Sequence, residues 1–407
     1  MKVYLDNHSG TKPDERVIQA MLPYLNEYYG NPQSMHELGA QAKQAIETAR
    51  KQVADLINAN VNEIYFTSCG SESNNLAIKG VALAYKDKKK HIVVSQIEHF
   101  SVLYSARRLQ QLGFEVTYIP VDKQGFVLLD ELEKAIRDDT VLVSIQHSNP
   151  EIGTIQNIKQ VVEICHKKGV LVHTDAVSSC GVVPIDVKEL DVDLLSLSAS
   201  QFYGPKGAAA LYVKKGVRVI PLIDGGVQEN GIRAGTENVA AIVGIGVAAE
   251  IVKKELKENY EKMIKLRNKL IKGIQEKIKY VYLNGSIENR LPNNVNFSFE
   301  FIEGEGLSLL LNSKGIYVTS GSACASKALK MLHVLTAIGV DPAVGQGTIT
   351  MTLSKYNTEE EIDYVLKILP EVVEKLRGIS PLYSYFLQTR QRKPAGPGTD
   401  YDVHHHE

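Results

Sequence analysis

Thr140-Val141-Leu142-Val143-Ser144-Ile145 and Val170-Leu171-Val172-His173-Thr174 are two short apolar runs rich in β-branched residues, and residues 158–167 between them carry apolar side chains at helical spacing. Strand, amphipathic helix and strand in that order form a crossover unit, which joins strands that run parallel. The same alternation extends outward. Glu63-Ile64-Tyr65-Phe66-Thr67, His91-Ile92-Val93-Val94-Ser95 and Glu115-Val116-Thr117-Tyr118-Ile119 read as strands before it, and Asp193-Leu194-Leu195-Ser196-Leu197 reads as one after it. Residues 75–85, 102–112 and 129–137 read as helices between them. The pattern predicts an α/β fold with a mostly parallel sheet covered on both faces.

Beyond Val239 the pattern changes. Residues 240–277 read as one almost continuous helix with Lys and Glu on its polar positions. A smaller α+β unit is expected after it, with Asn294-Val295-Asn296-Phe297-Ser298-Phe299 and Thr348-Ile349-Thr350-Met351-Thr352-Leu353 as strands, a Gly/Ser-rich loop over 319–326, and a last helix over 359–377. This divides the chain into a large domain over 1–255, a small α+β domain over 256–378 and a tail over 379–407. The tail carries Pro394-Ala395-Gly396-Pro397-Gly398 without periodicity, ends in His404-His405-His406-Glu407, and is expected to be extended.

Composition narrows the function. Lys and Arg total 46 against 47 Asp and Glu, so a net charge of -1 gives no global attraction to nucleic acid or anionic membrane. Met1-Lys2-Val3-Tyr4-Leu5 runs straight into Asp6 and reads as a short strand instead of a signal peptide, and no window is apolar for long enough to span a bilayer. The expectation is a cytoplasmic protein. The 4 cysteines, Cys69, Cys165, Cys180 and Cys324, form no CxxC pair and no zinc spacing.

Six segments have the residue types that chemistry needs. Thr67-Ser68-Cys69-Gly70-Ser71-Glu72-Ser73-Asn74-Asn75 lies between a strand and a helix, where small residues and free amides suit either a phosphate cup or a plain helix cap. Glu98-His99 follows a strand. Asp175 closes the strand that holds His173, at the sheet edge where ligands of open α/β folds gather, and a carboxylate there could pair with a cationic ring nitrogen. Segments 196–207 and 225–238 are rich in Gly, Ser and Thr. In the sixth, Thr319-Ser320-Gly321-Ser322-Ala323-Cys324-Ala325-Ser326, a thiol without apolar neighbours is expected to be exposed and reactive.

In this order the six segments resemble the cysteine desulfurases of the IscS/NifS type, class V members of the pyridoxal-phosphate (PLP) transferase fold. The stretches that match the family pattern best are Tyr29-Gly30-Asn31-Pro32, Gly204-Pro205-Lys206-Gly207, Arg233-Ala234-Gly235-Thr236-Glu237-Asn238 and Ser320-Gly321-Ser322-Ala323-Cys324. The resemblance implies fold type I with a seven-stranded, mostly parallel sheet, an N-terminal segment (1–15) packed with the small domain, and a homodimer. It implies PLP contacts at Gly70, Ser71, His99, Asp175, Ser198 and Thr236, with Thr236 supplied by the neighbouring subunit, and a persulfide cysteine at Cys324. The tail, with Ser380-Pro381-Leu382-Tyr383 and its terminal histidines, is similar to that of the IscS branch, which helps to hold an IscU-type iron–sulfur scaffold protein.

The departures cluster. Where the family reads Ser-X-His-Lys, this chain reads Ser198-Ala199-Ser200-Gln201, so the lysine that holds PLP falls at Gln201 and the histidine before it at Ser200. A family asparagine falls at Pro150, a glutamine at Ser178, and the arginine that clamps the substrate carboxylate at Thr350. An amide cannot form an imine, and several losses in one catalytic unit can each cost powers of ten. The expectation is therefore a component of iron–sulfur cluster assembly. Cys324 would act as ligand to a 2Fe–2S cluster shared with the scaffold, or as a sulfur carrier. The alternative is an active desulfurase with PLP held non-covalently, passing sulfur from L-cysteine to Cys324.

Overall fold

The computed structural model describes residues 1–320 and 333–392. Its main sheet has seven strands: β2 (Ile64–Thr67), β3 (His91–Ser95), β4 (Glu115–Ile119), β5 (Thr140–Ser144), β6 (Leu171–Asp175), β7 (Leu194–Ser198) and β8 (Ala209–Val213), in the order β2-β8-β7-β6-β5-β3-β4. The pairs from β4 to β7 are parallel, and β8 runs antiparallel to both β7 and β2. Strands β3, β5, β7 and β8 are buried along their whole length, and for β3, β5 and β7 this is why the sequence shows no polar/apolar alternation.

Strand β8 has no counterpart in the sequence-based expectation. Ala208-Ala209-Ala210-Leu211-Tyr212 favours helix by propensity, but pairing with a strand on each side and full burial decide the conformation. The 20-residue helix Glu37–Leu56 is likewise an addition. It packs through Ala42, Ala45, Ile46, Ala49 and Val53. The anticipated helix over 158–167 forms as Ile158–Lys167, capped by the Asn157 side chain accepting from the Gln160 amide.

The long helix Val239–Lys277 has 39 residues and spans roughly 58 Å at 1.5 Å per residue. Its first half packs Ala241, Ile245 and Ala249 into the core beneath the large sheet. Its second half packs Leu266, Leu270 and Ile274 into a separate core shared with a four-stranded antiparallel sheet. That sheet orders β12 (Thr319–Ser320), β13 (Thr348–Thr352), β10 (Asn294–Phe299) and β9 (Val281–Leu283). The first strand, β1 (Val3–Tyr4), pairs in parallel with β11 (Ile316–Tyr317), and Val3 and Leu5 are wholly buried in the second core. The described part of the tail differs from the extended form expected: Pro381–Arg392 is a helix. Tyr383 and Phe386 set their rings 5.4 and 4.8 Å from Phe301, and this aromatic contact repays the ordering of a segment that has no helical signal of its own. Among the described residues no helix is long and apolar enough to cross a membrane.

One buried ion pair joins three segments around the site. Arg50 on helix Glu37–Leu56 donates to both carboxylate oxygens of Glu229, at 2.7 and 2.8 Å, and to the Ile64 carbonyl at 2.8 Å. Glu229 also accepts from the Phe66 amide at 2.7 Å. Truncating one partner leaves a charge uncompensated away from water. Glu229→Ala should destabilise the chain by about 3–5 kcal/mol, read as a lowered urea midpoint, whereas breaking an exposed pair such as Lys134–Glu131 should leave the midpoint close to that of the wild type.

Candidate active site

Strands β2, β3, β5, β6 and β7 point their C-terminal ends at one cavity of about 300 Å³. Cys69, Gly70, Ser71 and Asn74 reach it after β2, His99 after β3, Gln146, Ser148 and Pro150 after β5, Asp175, Val177 and Ser178 at the end of β6, and Ser198, Ser200 and Gln201 at the end of β7. This is the edge at which ligands of open α/β sheets bind. The cavity thus brings together Gly70, Ser71, His99, Asp175, Ser178, Ser198, Ser200 and Gln201 from segments far apart in sequence.

Asp175 is its buried charge. One carboxylate oxygen accepts from Asn74 Nδ2 at 2.6 Å and the other from the Val177 amide at 2.9 Å. Burial raises the Asp175 pKa, with His99, the Val177 amide and Asn74 working against the rise. Asn74 also donates to Ser101 Oγ at 2.9 Å, and Ser101 Oγ lies 2.7 Å from His99 Nδ1. The Ser101 amide donates to the same nitrogen at 3.2 Å, so Nδ1 accepts and the ring hydrogen sits on Nε2. Asn74 therefore couples the carboxylate to the imidazole. It lies four residues past Gly70 on helix Gly70–Tyr85, one turn into the helix, and this spacing is the signal that could have singled it out.

Gly70 opens that helix because a Cβ there would come within 2.6 Å of Val177 Cγ2. The close approach lets the helix start reach the cavity with its unpaired amides, beside the Ser71 side chain. Ser198 Oγ and Ser200 Oγ lie 3.2 Å apart.

Gln201 lies in the short helical turn Ala199–Gln201, and its Nε2 donates to the His8 carbonyl at 2.9 Å. His8 belongs to the N-terminal segment, and its amide donates to Thr352 Oγ1 at 2.8 Å. Burial, then the nearby His99, push the His8 imidazole down to about 4. Pro150 lines the cavity. Thr350 instead faces Asn296, whose Nδ2 donates to Thr350 Oγ1 at 2.7 Å inside the small sheet. Thr236 lines a smaller cavity of about 170 Å³ with Ser68 and Arg233, so one chain by itself does not bring it to Asp175. Cys324 lies outside the described residues, as does the terminal histidine cluster. Cys69, His8, Gln146 and Ser148 join the cavity without having been singled out from sequence.

Residues 3–365 match the model of the aminotransferase class-V family. The chain is 54% identical over 380 residues to a cysteine desulfurase IscS of Methanosarcina thermophila, covering 93% of this chain and 94% of that one. It is 50% identical over 381 residues to cysteine desulfurase IscS 1 of Archaeoglobus fulgidus, covering 93% and 99%. A solved NifS-like protein superposes with a TM-score of 0.87 at 44% identity, over 92% of this chain and all of that one. The chain belongs to the class-V aminotransferases, and within them to the IscS/NifS cysteine desulfurases, whose chemistry is the mobilisation of sulfur.

The family depends on PLP, and the cavity fits part of that cofactor. Asp175 would hold a cationic ring nitrogen, His99 would face the ring, and the helix start at Gly70 and Ser71 would take the phosphate. The covalent link does not fit, because no lysine lines the cavity among the described residues.

Beside the site, Glu98 is fully buried. Its Oε1 accepts from Ser95 Oγ at 2.6 Å and the Gln146 amide at 2.8 Å, while Oε2 has no partner. Burial pushes its pKa up from 4.5 to about 8. The folded chain then holds this proton more tightly than the unfolded chain does. The stability Glu98 contributes is complete below about 4.5 and is lost as pH rises towards about 8. Glu98→Gln should flatten the decline across that window. Urea midpoints of both proteins against pH will show it, with the two curves converging at acid pH.

Proposed function

We propose that this chain serves iron–sulfur cluster assembly as a desulfurase-like component whose PLP chemistry is lost or strongly reduced. Gln201 carries the proposal. At the position where the resemblance puts the cofactor lysine, the side chain is a carboxamide holding the His8 carbonyl, and no primary amine lines the cavity among the described residues. The lone pair of an amide nitrogen is delocalised into its carbonyl and does not add to an aldehyde. Thr350, where the resemblance puts the carboxylate clamp, is uncharged and bonded to Asn296.

On this reading the working group is Cys324. A thiolate is a good ligand for iron, and clusters are held by cysteines. Cys324 acts either as a ligand to a 2Fe–2S cluster shared with an IscU-type scaffold or as a carrier of sulfur supplied as sulfide or persulfide. One thiol per chain cannot complete a cluster's ligand set, so the scaffold supplies the rest. The chain works as a homodimer, with Thr236 reaching the neighbouring subunit's site, and the tail from residue 379 helps to hold the scaffold.

A second reading keeps the enzyme active with PLP held non-covalently. The intact path Asp175–Asn74–Ser101–His99 favours it, since that path would bind and orient a cationic heteroaromatic ring without a covalent bond. PLP supplies an electron sink when bound, and Cys324 would receive the sulfur of L-cysteine.

The two readings part on isolation. The full chain, purified under nitrogen with its scaffold, should yield no pyridoxal phosphate on denaturation, retain no pyridoxyl group after borohydride, and release no sulfide from L-cysteine. It should carry iron and sulfide that Cys324→Ser loses. Gln201→Lys should gain a borohydride-fixable pyridoxyl group, and its regained turnover should remain at least about a hundredfold below that of the relatives because Pro150 and Thr350 remain. Pyridoxal in the wild-type chain together with sulfide release would establish the second reading instead.

A further inference from the structure

The cavity retains a thiol that neither reading uses. Cys69 is exposed, lines the cavity, and stands at the N-terminal boundary of the 16-residue helix Gly70–Tyr85. Its Sγ lies 3.7 Å from Ser68 Oγ. Cys165 and Cys180, in contrast, are buried in the core, and burial pushes both thiols up to about 12. Among the described residues Cys69 is the thiol that a reagent can reach.

Two unpartnered polar atoms show that the same cavity is built for a ligand. Asn74 is 1% exposed and its Oδ1 has no hydrogen-bond partner; Ser148 is 2% exposed and its Oγ has none. Buried polar atoms are rarely left unpaired, and each one here costs free energy until something fills the space. Their placement states what that is. Asn74 Oδ1 and the Asp175 carboxylate are acceptors short of donors, as an ammonium group requires. The first amides of helix Gly70–Tyr85, with the Ser71 hydroxyl, are donors suited to a carboxylate. At about 300 Å³ the cavity is at the small end of ligand sites.

We propose that this cavity binds a small zwitterionic persulfide, an amino-acid-sized molecule with one ammonium, one carboxylate and a sulfane sulfur, and that Cys69 accepts that sulfur. The inference rests on the reading in which PLP does not occupy the cavity, and it supplies that reading with a sulfur source. The step is an exchange. Cys69 Sγ attacks the outer sulfur of the carrier, and the carrier's S–S bond breaks as a new S–S bond to Sγ forms. The carrier leaves as a thiolate and takes up the proton from the Cys69 thiol. One persulfide and one thiol are consumed and one of each is produced, with no net oxidation.

The test uses the full chain carrying Cys324→Ser, so that transfer to that cysteine does not drain the label. L-cysteine persulfide is added, thiols and persulfides are alkylated, and the Cys69 peptide is weighed by mass spectrometry. The persulfides of 3-mercaptopropionate, which lacks the ammonium, and of cysteamine, which lacks the carboxylate, are run beside it. Cys69 should gain one sulfur at least about tenfold faster from the zwitterion than from either analogue. Asp175→Asn should abolish the advantage over 3-mercaptopropionate persulfide, with loading from L-cysteine persulfide falling to about the rate of that analogue. Equal rates from all three persulfides, or no added sulfur on Cys69, would overturn the inference. Pyridoxal is assayed in the same sample. If it is present and L-cysteine yields sulfide, the functional reading fails and this inference fails with it. If it is absent and Cys69 stays unloaded, the inference alone fails.

Discussion

Two parallel strands can be joined only by a chain that leaves one end of the sheet and returns to the other. Every loop that follows such a strand therefore opens on the same edge, and the site depends on this constraint. Residues as distant as Cys69, His99, Asp175 and Gln201 meet in one cavity because β2, β3, β6 and β7 all finish there. The antiparallel β8 fits between β2 and β7 without disturbing this convergence, since it lets β2 run in the same direction as β7.

The second determinant is the N-terminal segment. Val3 and Leu5 are buried in the core of the small unit, while His8 is held by Thr352 on one side and by Gln201 on the other. Gln201 is thus part of a structural tie between the wall of the cavity and the N-terminal chain beside it. A carboxamide serves this purpose well, because it donates to a carbonyl without bringing a charge that must be solvated. The replacement has a chemical consequence and a structural use, and both follow from the same functional group.

Electrostatics around the cavity come from buried acids. Asp175 and Glu98 are both removed from water, and the charge of Asp175 adds to the rise that burial causes at Glu98. Asn74 relieves Asp175 through a short hydrogen bond and passes the constraint through Ser101 to the tautomer of His99. The resulting site is polar, preorganised and, among the described residues, lined by no lysine or arginine.

Much of this architecture is legible in the order of residues. Local β-branched runs mark the strands of the parallel sheet, since a strand buried on both faces must be apolar throughout. The phosphate-cup segment, His99, Asp175 and the turn at Gln201 are legible because each sits just past a strand end, where glycine, serine or a lone polar side chain interrupts the apolar pattern. Strand β8 and helix Glu37–Leu56 are not, because alanine-rich segments take their conformation from what surrounds them. The helix at Pro381–Arg392 is hidden for a related reason: its stability comes from Phe301 and Tyr280, remote in sequence. By itself the sequence determined which chemical groups are present, and above all that position 201 carries no amine, since covalent identity does not depend on folding. Only the tertiary structure decided that Asn74 joins Asp175 to His99, that Gln201 holds His8, and that Cys69 and Ser148 share the cavity. Those facts are distances between parts of the chain far apart in sequence, and they exist only once the strands have been brought to a common edge.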